Sequence, residues 1–134
     1  MELLPKQPTT KGPAQWFTGD VWFDVIARGE APSRVRVNTV RFAPCARTAW
    51  HSHSMGQTLH VTDGVGRIQS RGGNVIEIRP GDVIYTPPGE EHWHGATDAT
   101  MMCHLAMLER TADRDGTTWL EPVSDEEYRR ALAG

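Results

Sequence analysis

The sequence has little of what marks several large classes of protein. Its 134 residues include only two cysteines, Cys45 and Cys103, and nothing places either sulfur near the histidines. We expect two reduced, packed thiols rather than a disulfide or thiolate ligands. No apolar run approaches the roughly 18–20 residues of a membrane helix. Residues 1–6 lack the basic-then-apolar order of a secretory signal.

Charge of either sign is also modest. The net charge is -3 and the pI is near 6.0, which favours neither nucleic acid nor an anionic membrane as a partner. A chain of this length builds one domain with one core. We therefore expect a cytoplasmic protein of one domain that binds a small molecule.

Short alternating segments predict an all-β fold. Apolar and polar residues alternate over 16–26 and 35–42. In the second segment, Val35 and Val37 share one face, and we assign Arg34, Arg36 and Asn38 to the opposite face. Shorter runs follow at 57–62, 67–69, 75–78, 83–86 and 100–108, separated by turn signals rich in glycine and proline. Many short strands at close spacing indicate a sandwich or a barrel. We assign the two arginines to a solvated face and the five tryptophans to packing and interfaces.

Both ends of the chain differ from this pattern. Residues 1–15 carry three prolines and no period, which indicates an N-terminal arm. Residues 16–121 form the predicted barrel, and 122–134 form a C-terminal helical segment. The helix itself is predicted over 124–132, because Ser124 followed three residues later by a glutamate is typical of a helix N-cap.

Histidines and one glutamine carry the chemistry. His51 and His53 are two residues apart, as are His92 and His94, so on strands each pair points to one face. Gln57 follows the first pair after a glycine, where its amide oxygen can reach the same centre. Imidazole suits zinc, copper, iron or nickel, and an amide oxygen tolerates manganese. These five side chains predict one divalent metal inside a barrel, with at least one histidine left over.

Two spaced motifs resemble those of the cupin family. The first motif comprises Cys45, His51, His53, Gln57 and Gly64, and the second comprises Gly81, Pro87, Gly89, His92 and Ala96. The resemblance implies a single cupin barrel, a double-stranded β-helix or jelly roll. Three positions depart from the family pattern. Cys45 replaces a glycine, Ala96 an asparagine and Gln57 an acidic ligand.

A narrower resemblance links the chain to small bacterial cupins with manganese-dependent hydroxynitrile lyase activity. It rests on the segments 47–53, 56–59 and 88–95, with further similarity at 11–19 and 104–106. It implies that the protein binds one divalent ion, with manganese as the first choice and iron, zinc or nickel as alternatives. The implied ligands are His51, His53, Gln57 and His92. The resemblance also implies that His94 and His104 act near the substrate.

The neutral ligand Gln57 bears on the reaction. Four neutral ligands leave the ion with its full charge, which favours Lewis-acid chemistry on a bound hydroxyl. We expect a carbon–carbon lyase that cleaves a cyanohydrin into an aldehyde and HCN, with His94 or His104 as the catalytic base. Val40, Leu59 and Thr48 are the expected substrate contacts, with Met102 in the apolar part of the pocket.

Two other functions are compatible with the same sequence. One is a metal-dependent oxygenase of a small aromatic or carbonyl compound, which would need a redox-active metal. The other is a cupin that binds a small molecule without turnover. In each case we expect a homodimer or homotetramer, because several tryptophans in a short chain suit an apolar interface.

Overall fold

The computed structural model describes residues 1–112 and 116–133. In this part of the chain the elements are β1 (Thr10–Lys11), β2 (Phe17–Thr18), β3 (Val21–Ala27), β4 (Val35–Phe42), β5 (Arg47–Thr48), β6 (His51–His53), β7 (Gln57–Gly64), β8 (Gly66–Ser70), β9 (Val75–Ile78), β10 (Val83–Thr86), β11 (His92–Ala96), β12 (Met102–Glu109), β13 (Thr117–Trp119) and α1 (Asp125–Ala133). The predicted all-β fold with a short C-terminal helix is confirmed. Residues 113–115 and 134, inside the predicted barrel and helical segments, lie outside the described residues.

Two sheets face each other and enclose the core. Within the described residues, the first sheet has the strand order β1-β3-β4-β12-β7-β10, and the second has the order β13-β6-β11-β5-β2, with β8 joining β11 to β9. The pairs are antiparallel, so side chains at facing positions share one side of a sheet. The two inner faces together line the barrel, as the cupin resemblance implies.

The inner face of β4 differs from the assignment made from its alternation. Arg36, Asn38 and Val40 line the interior, whereas Val35 lies outward with 40% of its surface exposed. The expectation of a solvated face is therefore wrong for Arg36. Alternation separates the two faces of a strand correctly, but it does not say which face meets the other sheet.

The C-terminal segment packs against the outer side of the second sheet. Trp93 faces outward from β11, is fully buried, and packs with Trp50, Val123 and Tyr128. At the helix start, the Ser124 hydroxyl accepts the Glu127 N–H at 3.1 Å, and Glu127 accepts the Ser124 N–H at 3.0 Å. This reciprocal pair is the predicted N-cap.

Buried Arg47 joins the same segment to β5. Its guanidinium donates to the Val123 carbonyl and to Asp125, each at 2.8 Å, and lies over the Tyr128 ring. The aromatic cluster and this ion pair together cover β11 from behind, so β11 is buried on both faces.

Both cysteines are free thiols, as predicted, but only Cys103 is buried. Cys45 is exposed, so the expectation of a packed thiol is wrong there. Its backbone has a φ of 71°, a left-handed conformation that glycine adopts most easily. The turn geometry therefore explains why cupins have a glycine at this position.

Three further expectations concern the chain as a whole. No described helix has the length and hydropathy that crossing a lipid bilayer requires. Within the predicted N-terminal arm, β1 pairs with β3 through Thr10 and Lys11. The segment boundaries, the cytoplasmic location and the homodimer or homotetramer stay predictions.

Candidate metal centre

Three buried histidines converge between β6 and β11. His51 and His53 come from β6, and His92 from β11, where it faces His51 across the strand pair. One nitrogen from each ring lies within 4.8 Å of the others, a separation that suits three ligands of one ion. The alternation of both His-x-His segments therefore brings these rings together as expected.

Each of these rings is held through its Nδ1. The Nδ1 atoms of His51 and His92 lie 2.8 and 2.9 Å from the carbonyl oxygens of Ala49 and Glu90. The Nδ1 of His53 lies 3.0 Å from the Thr117 hydroxyl on β13. A carbonyl accepts only when Nδ1 carries the proton, which leaves Nε2 as the metal-binding nitrogen. The cluster therefore has the outer hydrogen bonds typical of a metal site.

Gln57 begins β7 beside the cluster and lines the same cavity. Its Oε1 is buried and has no hydrogen-bond partner among the described residues, as expected of an oxygen that would ligate an ion. Gly56 makes the turn that brings it there. At a φ of 77°, a Cβ would lie 2.9 Å from the Thr86 carbonyl oxygen, so glycine is required.

Burial keeps two rings of the cluster, His51 and His92, neutral. Burial, together with the neighbouring His92 and His53, holds the pKa of His51 well below its usual value. Burial also lowers the pKa of His92. Neutral imidazoles with protonated Nδ1 atoms are the form that binds a divalent ion. Three histidines and one amide oxygen therefore fit the expected metal.

A fourth ring, His94, stands beside the cluster without belonging to it. Its ring centroid is 5.2 Å from that of His51, and its Nδ1 lies 3.0 Å from the Nε2 of His104 on β12. The His94 Nε2 has no described partner. Burial and His104 hold the pKa of His94 well below its usual value, and burial lowers that of His104 to about 4. The structure thus joins the two predicted catalytic histidines in one hydrogen-bonded pair.

A cavity of about 130 Å³ opens beside these rings. Val40 and Thr48 line it, as the sequence predicted, together with His51, His53 and His94. Leu59 and Met102 do not line this cavity. They belong to the apolar core, with 1% and 0% of their surface exposed.

Several cavity residues were not predicted from the sequence. They are Trp16, Phe17, Phe23, Arg36, Asn38, Ala106, Leu108, Thr117 and Trp119. Trp119 stacks on His51 at 4.7 Å and on Trp16 at 5.2 Å, so these tryptophans border the site as well as pack. His104 was expected near the substrate only from the resemblance. Alternation along β12 places Ala106 and Leu108 on the same face as His104, a signal that could have found both.

A β-barrel with three buried histidines around one point is the arrangement that defines metal-binding cupins. The chain matches the cupin domain model over residues 38–108, and it belongs to the cupin family.

Three known proteins are similar to the chain over most of its length. The chain is 52% identical to (R)-mandelonitrile lyase of Granulicella tundricola over 130 residues, covering 97% of this chain and 98% of that protein. It is 36% identical to a cupin-like protein from Thermotoga maritima of solved structure, with a TM-score of 0.85 and coverage of 98% and 97%. A cupin-2 domain protein from Rhodospirillum rubrum shares the fold at 17% identity, with a TM-score of 0.70 and coverage of 100% and 86%.

Proposed function

We propose that the protein is a metal-dependent hydroxynitrile lyase, which cleaves or forms cyanohydrins. The observation that carries the proposal is the position of His94. Its Nε2 lacks a described partner in the wall of a small cavity, while its Nδ1 is bound to a second buried histidine, His104. A relative that is 52% identical and named (R)-mandelonitrile lyase supports the same reaction class.

The proposed cofactor is one divalent ion held by His51, His53, Gln57 and His92. Manganese is our first choice, with iron, zinc and nickel as alternatives, because four neutral ligands discriminate weakly among divalent ions. When bound there, the ion would supply Lewis-acid polarisation of a substrate oxygen. No change of oxidation state is required for this chemistry.

His94 is proposed to move the proton. With a proton on Nδ1, donated to His104 Nε2 at 3.0 Å, His94 presents the lone pair of Nε2 to the cyanohydrin hydroxyl. Removal of that proton allows the oxygen to form a carbonyl while the carbon–carbon bond breaks and its electron pair leaves with cyanide. The protonated His94 then returns the proton to cyanide, and the products are aldehyde and HCN.

Thr48 and Val40 are the proposed contacts that orient the substrate. The Thr48 hydroxyl accepts the backbone N–H of His94 at 3.2 Å, which directs its own proton elsewhere, toward the cavity that it lines. Val40 lies on the opposite wall and offers apolar surface to the substituent. Leu59, the third contact expected from the sequence, lies in the apolar core and is left out of this set.

The test is cyanide release from racemic mandelonitrile at acidic pH, using protein reconstituted with manganese. The wild type should release cyanide well above the metal-free protein. His94→Ala should lower the rate by about 10²–10⁴-fold, as expected for a lost general base, while its metal content stays normal.

The matched control is His60→Ala. His60 also lies on a barrel strand, β7, but its side chain faces away from the cavity. It should keep both metal and rate. Equal rates in wild type and His94→Ala, or no metal-dependent release by the wild type, would contradict the proposal.

A further inference from the structure

A second polar region lines the cavity, opposite the histidines. Arg36 and Asn38 face inward from β4, where they pair with Leu108 and Ala106 of β12. Neither residue is a candidate metal ligand or base, and neither has a role in the mechanism above. A cation and an amide on the inner face of an otherwise apolar wall call for a physical explanation.

Within the part of the chain that the structure describes, no residue forms an ion pair or hydrogen bond with the Arg36 guanidinium, and the Oδ1 of Asn38 is buried without a partner. Arg41, on the outer face of the same strand, pairs with Asp24 at 3.0 Å. The Arg36 side chain is half-buried in the cavity wall, so its guanidinium can pair with an anionic group of a ligand.

The register places this pair within reach of the metal site. Arg36 faces Leu108, and Leu108 faces Gln57 on the next strand, so these residues form one row across the sheet. Two interstrand spacings, about 10 Å, separate the Cα atoms of Arg36 and Gln57. The arginine side chain covers much of this span, so a small ligand could contact both ends at once.

The size of the cavity limits that ligand. A volume of about 130 Å³ is close to that of cavities that hold one benzene molecule, about 150 Å³. A guanidinium binds a carboxylate through two parallel hydrogen bonds. The Asn38 NH2 group can donate a third, whereas a carboxylate offers no donor to the Asn38 Oδ1. A bulkier anion, or a second anionic group, would find no further cation in the described cavity lining.

We propose that Arg36 and Asn38 form a carboxylate subsite, and that the natural substrate is a small hydroxy or oxo acid. Its carboxylate binds this pair, while its hydroxyl or carbonyl group lies at the histidine end. The identity of the reacting end rests on the proposed function; the carboxylate subsite rests on the β4 wall alone.

The test compares the binding of two isosteric aldehydes to manganese-loaded protein by calorimetry near pH 6. The probes are 4-formylbenzoate and its neutral counterpart 4-formylbenzamide, and a shorter pair is 4-oxobutanoate and 4-oxobutanamide. The wild type should bind the carboxylate of at least one pair about 10-fold more tightly than the neutral partner, as expected for a charge-assisted bidentate contact.

Variants of β4 assign the preference to the subsite. Arg36→Gln should reduce it to less than about 2-fold, and Asn38→Leu should weaken it by a smaller factor. Arg34→Gln is the matched control, since it removes one positive charge from an exposed residue outside this cavity; it should keep the full preference. A preference that survives in Arg36→Gln would mean that the carboxylate binds the metal, and would overturn the proposal.

Two more outcomes would overturn it. They are equal binding of both probes of each pair to the wild type, and equal loss of preference in Arg34→Gln and Arg36→Gln. Cyanide release from mandelonitrile, measured on the same wild-type samples, separates this proposal from the previous one. A carboxylate preference that depends on Arg36, without cyanide release, would support the subsite and reject the lyase. Cyanide release without a carboxylate preference would support the lyase and reject the subsite.

Discussion

The two sides of the cavity hold their polar groups in opposite ways. On the histidine side, His51, His53 and His92 are each fixed through Nδ1 by a carbonyl or hydroxyl group. On the β4 side, Arg36 has no described partner and Asn38 has a buried oxygen without one. The histidine rings are held in place by the protein itself, whereas the Arg36 guanidinium is left open to a ligand. We propose that this difference separates a site for a resident ion from a site for an exchanging substrate.

Packing behind the two walls follows the same division. Trp93 and the C-terminal segment cover the outer side of β11, so the strand that carries His92 and His94 is enclosed on both faces. The outer side of β4 has no such cover in the described chain, and Val35 there is 40% exposed. Ligand geometry for a metal must be held within fractions of an ångström, which explains why the histidine wall is the enclosed one.

Removing a ligand from the fixed side should produce the largest effect. His51→Ala deletes one of three converging rings, so metal affinity should fall by more than about 100-fold. Metal content after dialysis against a graded chelator measures this. Ser52→Ala, at the outward position of the same strand, should keep the wild-type affinity. Equal affinities in the two variants would show that these rings do not hold the ion.

Acid should destabilise the folded protein through His104, the ring that holds His94. The pKa of this fully buried ring is lowered to about 4 in the folded protein, against about 6.5 when unfolded, so the unfolded chain binds the proton first as pH falls. The neutral His104 ring therefore favours the folded state fully above about pH 6.5. This contribution to the free energy of unfolding is lost as the pH falls toward 4. The loss is about 3 kcal/mol of unfolding free energy.

Urea unfolding of metal-free protein at pH 7 and pH 4 measures this loss. In His104→Gln the difference between the two pH values should shrink by a similar amount, since the titrating ring is gone. His60→Gln should keep the wild-type difference. An unchanged difference in His104→Gln would assign the acid sensitivity to other groups.

The smallest effect should come from the hydrogen bond that orients His53. Thr117→Val keeps the shape of the side chain but removes the hydroxyl 3.0 Å from His53 Nδ1, so metal affinity should fall by about 10-fold. Thr118→Val, the outward neighbour on β13, is the control. A loss as large as that of His51→Ala would indicate that the strand itself had been displaced.

Much of the site could be predicted from local patterns. The spacing in His51-Ser52-His53 and His92-Trp93-His94 places each pair on one face, whatever the fold around it. The same alternation correctly predicted the bounds of β4, β9 and β10. The resemblance to cupins carried the prediction across the 38 residues between the two pairs, which spacing alone could not do.

What the sequence determined by itself is the set of residues that share a face: the two histidine pairs, and the inner and outer sides of each strand. Tertiary structure alone decided which face of β4 meets the second sheet, that His104 reaches His94, and that Leu59 lies in the core rather than in the cavity. The reason is physical. Alternation is a property of the local backbone, whereas a contact between sheets depends on register and packing across the whole barrel. Because the packing of β4 turns Arg36 toward the second sheet, this arginine lines the cavity wall instead of the solvated face expected from the sequence.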